Sequence, residues 1–464
     1  MSAPAPTPTT PPARWREVFA GARGRLTAGL LLLEALVATQ ILVVATVMPA
    51  VRSDLGGLAL YGWTFSASGL GQFAAIPIAG HAVDRFGARW LLAVTLVVYS
   101  SGLLLAALAP SMLVLVLARL VQGVGGGAVY AVSLATVAKR YPEALRARVL
   151  ALLAAMWILP GLLGPPLGAI LVTTVGWRFA FVAPLPVLVL AAVLTFPALR
   201  GANGDRERRI AMGPPLALAL GAGALLAGLT IRPQPASLGL VAVGLAVGVP
   251  ALRRIVPAGT FAARPGLPAA AAAAFLLSTS FVAADSFATL MLTGVNGRSV
   301  GEAGLVLTAM TVAWSLGSWW QSRAVARWRL GRLVVLGTVL VAVGLLAAAT
   351  ALVHLPLGIS YAGWTLAGIG MGVAFPTIPL SVMNAASRGE EASELSATLL
   401  MDTLGVAMGA GLGGAAIALA DVLGAELRVG IAGAFGIGFL AALALLGIAR
   451  RLPEPGPAPV HSAA

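Results

Sequence analysis

Fourteen stretches of about 20 mostly apolar residues run along the chain, each separated from the next by a short polar interval. They fall near 26–50, 62–81, 90–109, 111–136, 149–174, 178–199, 214–230, 236–251, 267–294, 303–322, 333–352, 356–383, 396–419 and 428–449. An α-helix rises 1.5 Å per residue, so about 20 residues cross the roughly 30 Å of a bilayer's hydrocarbon. The pattern therefore predicts fourteen spanning helices. The seventh and eighth are the shortest and flank Arg232-Pro233-Gln234-Pro235. They read either as two full crossings or as one shallow hairpin, and later helices keep their orientation in both cases.

The polar intervals carry a charge asymmetry. With the N-terminus on one side, 24 lysines and arginines fall in segments on that side, five fall on the other, and Arg119 lies within a helix, which accounts for all 30. The positive-inside rule then puts both termini in the cytoplasm. Residues 1–25 read as a disordered basic N-terminal tail, Pro-, Thr- and Ala-rich before Arg14 and with no apolar core of a cleaved signal; residues 450–464 read as a disordered C-terminal tail.

Composition narrows the class. A chain that is 59% hydrophobic and 10% charged, with 56 glycines and 30 prolines, is a polytopic membrane protein and not a soluble domain. The formal charge of +14 is spread between apolar runs, which argues against a nucleic-acid partner. With no cysteine, thiolate chemistry and disulfides are excluded. No G-x-x-x-x-G-K-[ST] occurs, so ATP is not the energy source, and His81, His354 and His461 are placed for neither a relay nor a metal. Heavy use of arginine over lysine, together with abundant alanine, suits a GC-rich bacterial source and hence a bacterial cytoplasmic membrane.

The densest charge in the first hundred-odd residues after the basic N-terminus is Gly80-His81-Ala82-Val83-Asp84-Arg85-Phe86-Gly87-Ala88-Arg89, set between two apolar stretches. Its glycines would let two helix ends approach, and its arginines can anchor at the surface or donate to helix C-terminal carbonyls. Asp84 pairing in one conformation only would make the turn a state-dependent latch. The G-x-x-x-D-R-x-G-x-R pattern resembles the loop between helices 2 and 3 of the major facilitator superfamily. Ala88 stands where that family usually has a further basic residue. Arg329-Leu330-Gly331-Arg332 echoes the pattern, with Trp328 at the place of Asp84.

The resemblance implies an all-α major facilitator fold: a six-helix half at 26–199, a linker at 200–266 holding a two-helix hairpin (214–251), and a second six-helix half at 267–449. Internal repeats of this kind are common in secondary transporters. Arg119 with Gln122, Gly123, Gly125, Gly126 and Gly127 resembles the family's R-x-x-Q-G-x-G, and Gly161, Gly164, Pro165 and Gly168 resemble its antiporter signature G-x-x-x-G-P-x-x-G-G, with Ala169 for the last glycine. Small residues there would give a close-packed seam that the proline loosens. The W-R-x-x-F segment beginning at Trp177 is similar to one in fourteen-helix exporters.

Buried charge is expensive in a membrane and marks function by default. By their depth, Arg119 and Glu34 are expected to meet near the midplane, either as structural glue or with Glu34 as the proton carrier and Arg119 competing for its carboxylate. Gln40 occupies a region where related exporters place an acid, which raises the weight on Glu34. Asp285 and Asp402 are open between proton coupling, recognition of substrate charge and a structural hydrogen bond. Gln40, Gln122, Tyr130, Met156, Trp157, Trp314 and Phe375 are candidate cavity residues. The expected protein is a monomeric multidrug:proton antiporter of the fourteen-helix type. It would have no cofactor, draw on the proton gradient and take small lipophilic, cationic substrates. A dedicated exporter or importer of one metabolite, lipid or siderophore shares these motifs. A non-transporting receptor does not explain the buried charges.

Overall fold

A computed structural model describes residues 15–201, 212–230, 236–353, 355–385 and 391–453. Arg14, Arg206, Arg208, Arg209, Arg232, His354, Arg388 and His461 lie outside these residues. Fourteen helices follow the fourteen apolar stretches: α1 (Gly21–Leu55), α2 (Trp63–Phe86), α3 (Ala88–Ala107), α4 (Met112–Arg140), α5 (Ala144–Thr174), α6 (Phe179–Ala198), α7 (Gly213–Thr230), α8 (Ala236–Ile255), α9 (Leu267–Val295), α10 (Val300–Ala324), α11 (Leu330–Ala349), α12 (Leu357–Ala385), α13 (Glu391–Val422) and α14 (Leu427–Ile448). Helices satisfy their own backbone groups, which hydrocarbon requires. Thirteen are long and apolar enough to cross a membrane; the exception, α2, buries Thr64, Ser66 and Ser68 against its neighbours.

Two expectations about boundaries change. Helix already forms at Trp15–Val18 and again from Gly21, so residues 15–25 are not a disordered tail. At the other end Arg451 donates to the carbonyls of Ala262 and Ala263, and its own carbonyl accepts from the Gly266 amide at 2.9 Å, so the chain is tied down past 450. The shortest pair are two separate helices, α7 and α8, of 18 and 20 residues, each long and apolar enough to cross a membrane.

Breaks occur where the chain removes a donor or crowds a carbonyl. In α5 the helix interrupts at Met156 and Trp157, and Pro160 sits four residues beyond Met156, where its ring opposes that carbonyl. In α12 it interrupts at Phe375 and Pro376.

The packing repeats. In the first half α2 packs on α4, α3 on α4, α1 on α5 and α1 on α6; in the second, α10 packs on α12, α11 on α12, α9 on α13 and α9 on α14. The two sets correspond helix for helix, with α9–α14 standing for α1–α6. The halves meet along two seams, α2 against α13 and α5 against α10, which the same correspondence exchanges. Without a hydrophobic drive between helices in lipid, close approach supplies the attraction. A Cβ on Gly123 would stand 2.1 Å from the Ser68 carbonyl oxygen, and one on Gly372 2.1 Å from that of Trp314. Helix α7 lies against both α2 and α13, while α8 packs chiefly on α7. Trp63 donates to Thr230 at 3.2 Å, fixing α7 beside the seam.

An even number of helices leaves both chain ends on one side, here the near side. The contacts between halves cluster toward the far side. Gly62 approaches Gly414, Ser66 donates to the Ala407 carbonyl, Thr289 donates to the Ala45 carbonyl at 2.8 Å, and the Tyr61 and Phe287 rings lie 5.9 Å apart.

Candidate transport pathway

Glu34 lies on α1 facing α5 and is 4% exposed. Because α5 is interrupted at Met156 and Trp157, the Trp157 indole turns toward α1 and donates to Glu34 Oε1 at 3.2 Å. Across the pathway, Asp402 on α13 accepts a hydrogen bond from Ser278 on α9. Tyr130 on α4 lies within electrostatic range of both carboxylates, so an acid from each half borders one region. One turn beyond Ser278, the rings of Phe281, Trp314 and Phe375 form two edge contacts at 5.5 Å. Trp157 thus adjoins a carboxylate, Trp314 and Phe375 gather with Phe281 one turn from Ser278, and Met156 sits beside Trp157 in the break.

Arg119 does not pair with Glu34. Its Nε donates to the Thr64 carbonyl at 3.1 Å and its Nη1 to Gln122 Oε1 at 2.6 Å. It lines a small space of about 10 Å³ with Gln40, Gln72, Gln122, Ser68 and Tyr99. The physical reason lies in α1. Residues 34 and 40 are about 9 Å apart along the axis and about 120° apart around it, so Gln40 faces α4 while Glu34 faces α5. The amide nitrogens of Gln40 and Gln122 are both buried without a hydrogen-bond partner.

The seam residues build a junction of α1, α5 and α10. A Cβ on Gly161 would meet Thr311 of α10 at 2.1 Å; on Gly164 and Gly168 it would meet Leu42 and Thr46 of α1, each at 3.0 Å. From α10, a Cβ on Gly304 would stand 3.2 Å from the Pro165 carbonyl oxygen. Asp285 ends the first segment of α9, half-buried, with Oδ1 unbonded.

The expected polar hairpin at 80–89 contracts to one residue. Helix α2 runs through Gly80, Asp84 and Arg85 to Phe86, Gly87 makes the turn at φ +85°, and α3 begins at Ala88 with Arg89 exposed. Gly87 therefore needs to be glycine for its backbone. Gly80 does not serve a close approach, since a Cβ there would meet nothing within 4 Å. Asp84 pairs with Lys139 at the end of α4, 2.5 Å away, a partner the sequence did not single out. The Arg85 guanidinium lies 5.2 Å from the centre of the Phe86 ring.

The sequence also missed Ser278, Thr64 and Asp54, ordinary polar residues whose significance depends on which helix lies opposite. Asp54, at the far end of α1, accepts from Trp177 at 3.0 Å and Arg178 at 2.6 Å, and Arg178 reaches the Ala109 carbonyl beyond α3. The W-R segment is thus a clamp on the far face. Among the described residues no group of three or more His, Cys, Asp or Glu is placed to hold a metal.

The sequence model of the Major Facilitator Superfamily matches residues 30–249. Multidrug transporter protein MdtP of Bacillus subtilis is 24% identical over 79% of this chain and 70% of its own. A probable multidrug-efflux transporter of Mycobacterium tuberculosis is 28% identical over 82% and 85%. Among solved structures, a bacterial homolog of the human lysosomal transporter Spinster, inward-facing and unoccupied, matches with a TM-score of 0.68 at 16% identity, over 94% of this chain and 99% of that one. A D-xylose–proton symporter matches at 0.66 and 14% identity, over 92% and 97%. The paired six-helix halves share the fold of these solved structures, residues 30–249 match the Major Facilitator Superfamily model, and with its multidrug-efflux relatives the chain is a membrane transporter.

Proposed function

We propose that the chain exports small lipophilic, cationic compounds from the bacterial cytoplasm in exchange for protons, as a monomer of the fourteen-helix drug:proton antiporter type. The observation that carries this reading is the pair of carboxylates, Glu34 and Asp402, one from each half, bordering a region shared with Tyr130. Carboxylates held in a membrane protein's interior are costly and are retained for ions, protons or cationic ligands. The nearby rings of Trp157, Trp314 and Phe375 suit a flat apolar cation. The 24-to-five distribution of basic residues supports placing the near side in the cytoplasm, and the multidrug-efflux names of the relatives agree with export.

In this reading Glu34 carries the proton. Ionised, it holds the Trp157 indole and keeps α1 and α5 together; protonated, it loses charge and releases that contact. Substrate and proton alternate on it while the halves rock about their two seams. Asp402 supplies the second countercharge, Asp285 a further protonation site, and Arg119 fixes α2 against α4 beside the pathway. The Asp84–Lys139 pair latches the near ends of α2 and α4 in one state.

The test is release of an imposed pH gradient in everted vesicles by lipophilic cations and neutral dyes, with Glu34→Gln as the comparison. Several unrelated compounds should dissipate the gradient in wild type and none in the variant. Full activity in Glu34→Gln would overturn the assignment, and a response to one compound alone would make this a dedicated transporter.

A further inference from the structure

The second-half echo of the Asp84 motif has lost its acid, and its surroundings differ in kind. In the first half, Asp84 turns inward to Lys139. At the equivalent turn between α10 and α11, Trp328 replaces the acid, and no Asp or Glu occurs between Glu302 and Glu390. Here Trp319, Trp320, Arg323, Arg327, Trp328 and Arg332 are all exposed. The Arg323 guanidinium lies 3.7 Å from the Trp319 ring centre while its Nη1 donates to the Trp319 carbonyl at 3.0 Å. The Trp320 and Trp328 rings meet edge-on at 6.2 Å. The guanidinium groups of Arg327 and Arg332 make no hydrogen bond or ion pair among the described residues.

The outward stripe of α10 passes through Leu305, Val312 and Leu316 before reaching Trp319 and Arg323. That order, aliphatic then indole then guanidinium, matches the passage from acyl chain through the interfacial belt to the headgroup. Guanidinium groups bind phosphate oxygens in paired hydrogen bonds, and stacking on indole holds one ready. Juxtamembrane cations also draw anionic lipid of the cytoplasmic leaflet. We infer that the α10–α11 turn is a headgroup site for an anionic phospholipid, bound by Arg323, Arg327 and Arg332 on a platform of Trp319, Trp320 and Trp328. The inference rests on the assignment of the near side to the cytoplasm. The site stands at the near end of α10.

Native mass spectrometry of the full chain in detergent tests this without reference to transport. Phosphatidylglycerol and phosphatidylcholine of identical acyl chains are titrated against wild type, R323Q/R327Q/R332Q, and a same-side control, R253Q/R254Q/R264Q. The expected result is one preferentially retained phosphatidylglycerol, weakened roughly tenfold or more by loss of the three α10–α11 cations and little changed in the control. The single variant R327Q, which breaks no described contact, should weaken it in the same direction and covers failure of the triple variant to fold. Equal loss in the control, no preference for phosphatidylglycerol, or displacement by an equal concentration of inorganic phosphate would each overturn the site.

Discussion

The indole of Trp157 donates to Glu34 Oε1 across 3.2 Å, tying the break in α5 to the acid of α1. This bond, and not a salt bridge with Arg119, defines the environment of the proposed proton carrier. Hydrogen bonds to charged groups contribute about 1.5–3 kcal/mol.

Trp157→Phe keeps the ring and deletes the donor. Gradient-driven transport is expected to fall roughly tenfold or more, since the carboxylate loses the partner that positions it. Initial rates in vesicles at a fixed gradient measure this. Wild-type rates would mean that the indole bond is incidental.

Lys139→Gln removes the partner that Asp84 holds at 2.5 Å. Both groups are partly solvated, so the change should cost less than about 1 kcal/mol of stability. Turnover should nevertheless slow several-fold with substrate affinity unchanged, because a latch acts on the exchange of states. Comparing transport rates with equilibrium binding separates the two. Slow turnover in Asp84→Asn with normal turnover in Lys139→Gln would assign the latch to another partner of Asp84.

Gly414→Val addresses the α2–α13 seam, where a Cβ on Gly414 would stand 2.7 Å from Gly62 Cα. The branched side chain should hold the far ends of the halves apart and bias the protein toward the opposite state. The chain contains no cysteine, so Thr46→Cys, placed at the buried α1–α10 contact, reports opening directly. Labelling of this probe by a far-side thiol reagent is expected to rise several-fold. Unchanged labelling in a folded protein would mean that wedging the α2–α13 seam does not open the α1–α10 contact.

The helices were legible because hydrocarbon imposes a length and an apolar composition that few other folds satisfy. The close-packed glycines of α5 and the two halves followed from local pattern in the same way, whereas the hairpin expected at 80–89 is a single-residue turn at Gly87. Partners were not legible. Depth arithmetic placed Glu34 and Arg119 at compatible levels, yet α1 begins at Gly21 rather than 26 and turns its two polar residues to different neighbours. Ser278, Thr64 and Lys139 carry no distinguishing signal alone, since each acquires its role from a helix distant in sequence. Trp157 reads from the sequence as a cavity candidate, but its bond to Glu34 depends on the break in α5.

Gln40→Glu tests the separation of the two polar sites on α1. In the native chain the Arg119 guanidinium is met by a carbonyl and an amide oxygen, and the Gln40 amide nitrogen is buried without a partner. A carboxylate at 40 removes that orphan donor and supplies a countercharge in the same small space, so the variant should be more stable by about 1.5–3 kcal/mol, the range of hydrogen bonds to charged groups. Thermal unfolding in detergent measures it. The double variant Glu34→Gln/Gln40→Glu should gain this stability yet remain without proton-coupled transport. An acid at 40 is about 9 Å along α1 and about 120° around it from the position Trp157 reaches. Recovery of coupled transport in the double variant would show that the pathway needs an acid on α1 but not at the Trp157 level, and the role given to the Glu34–Trp157 bond would fall.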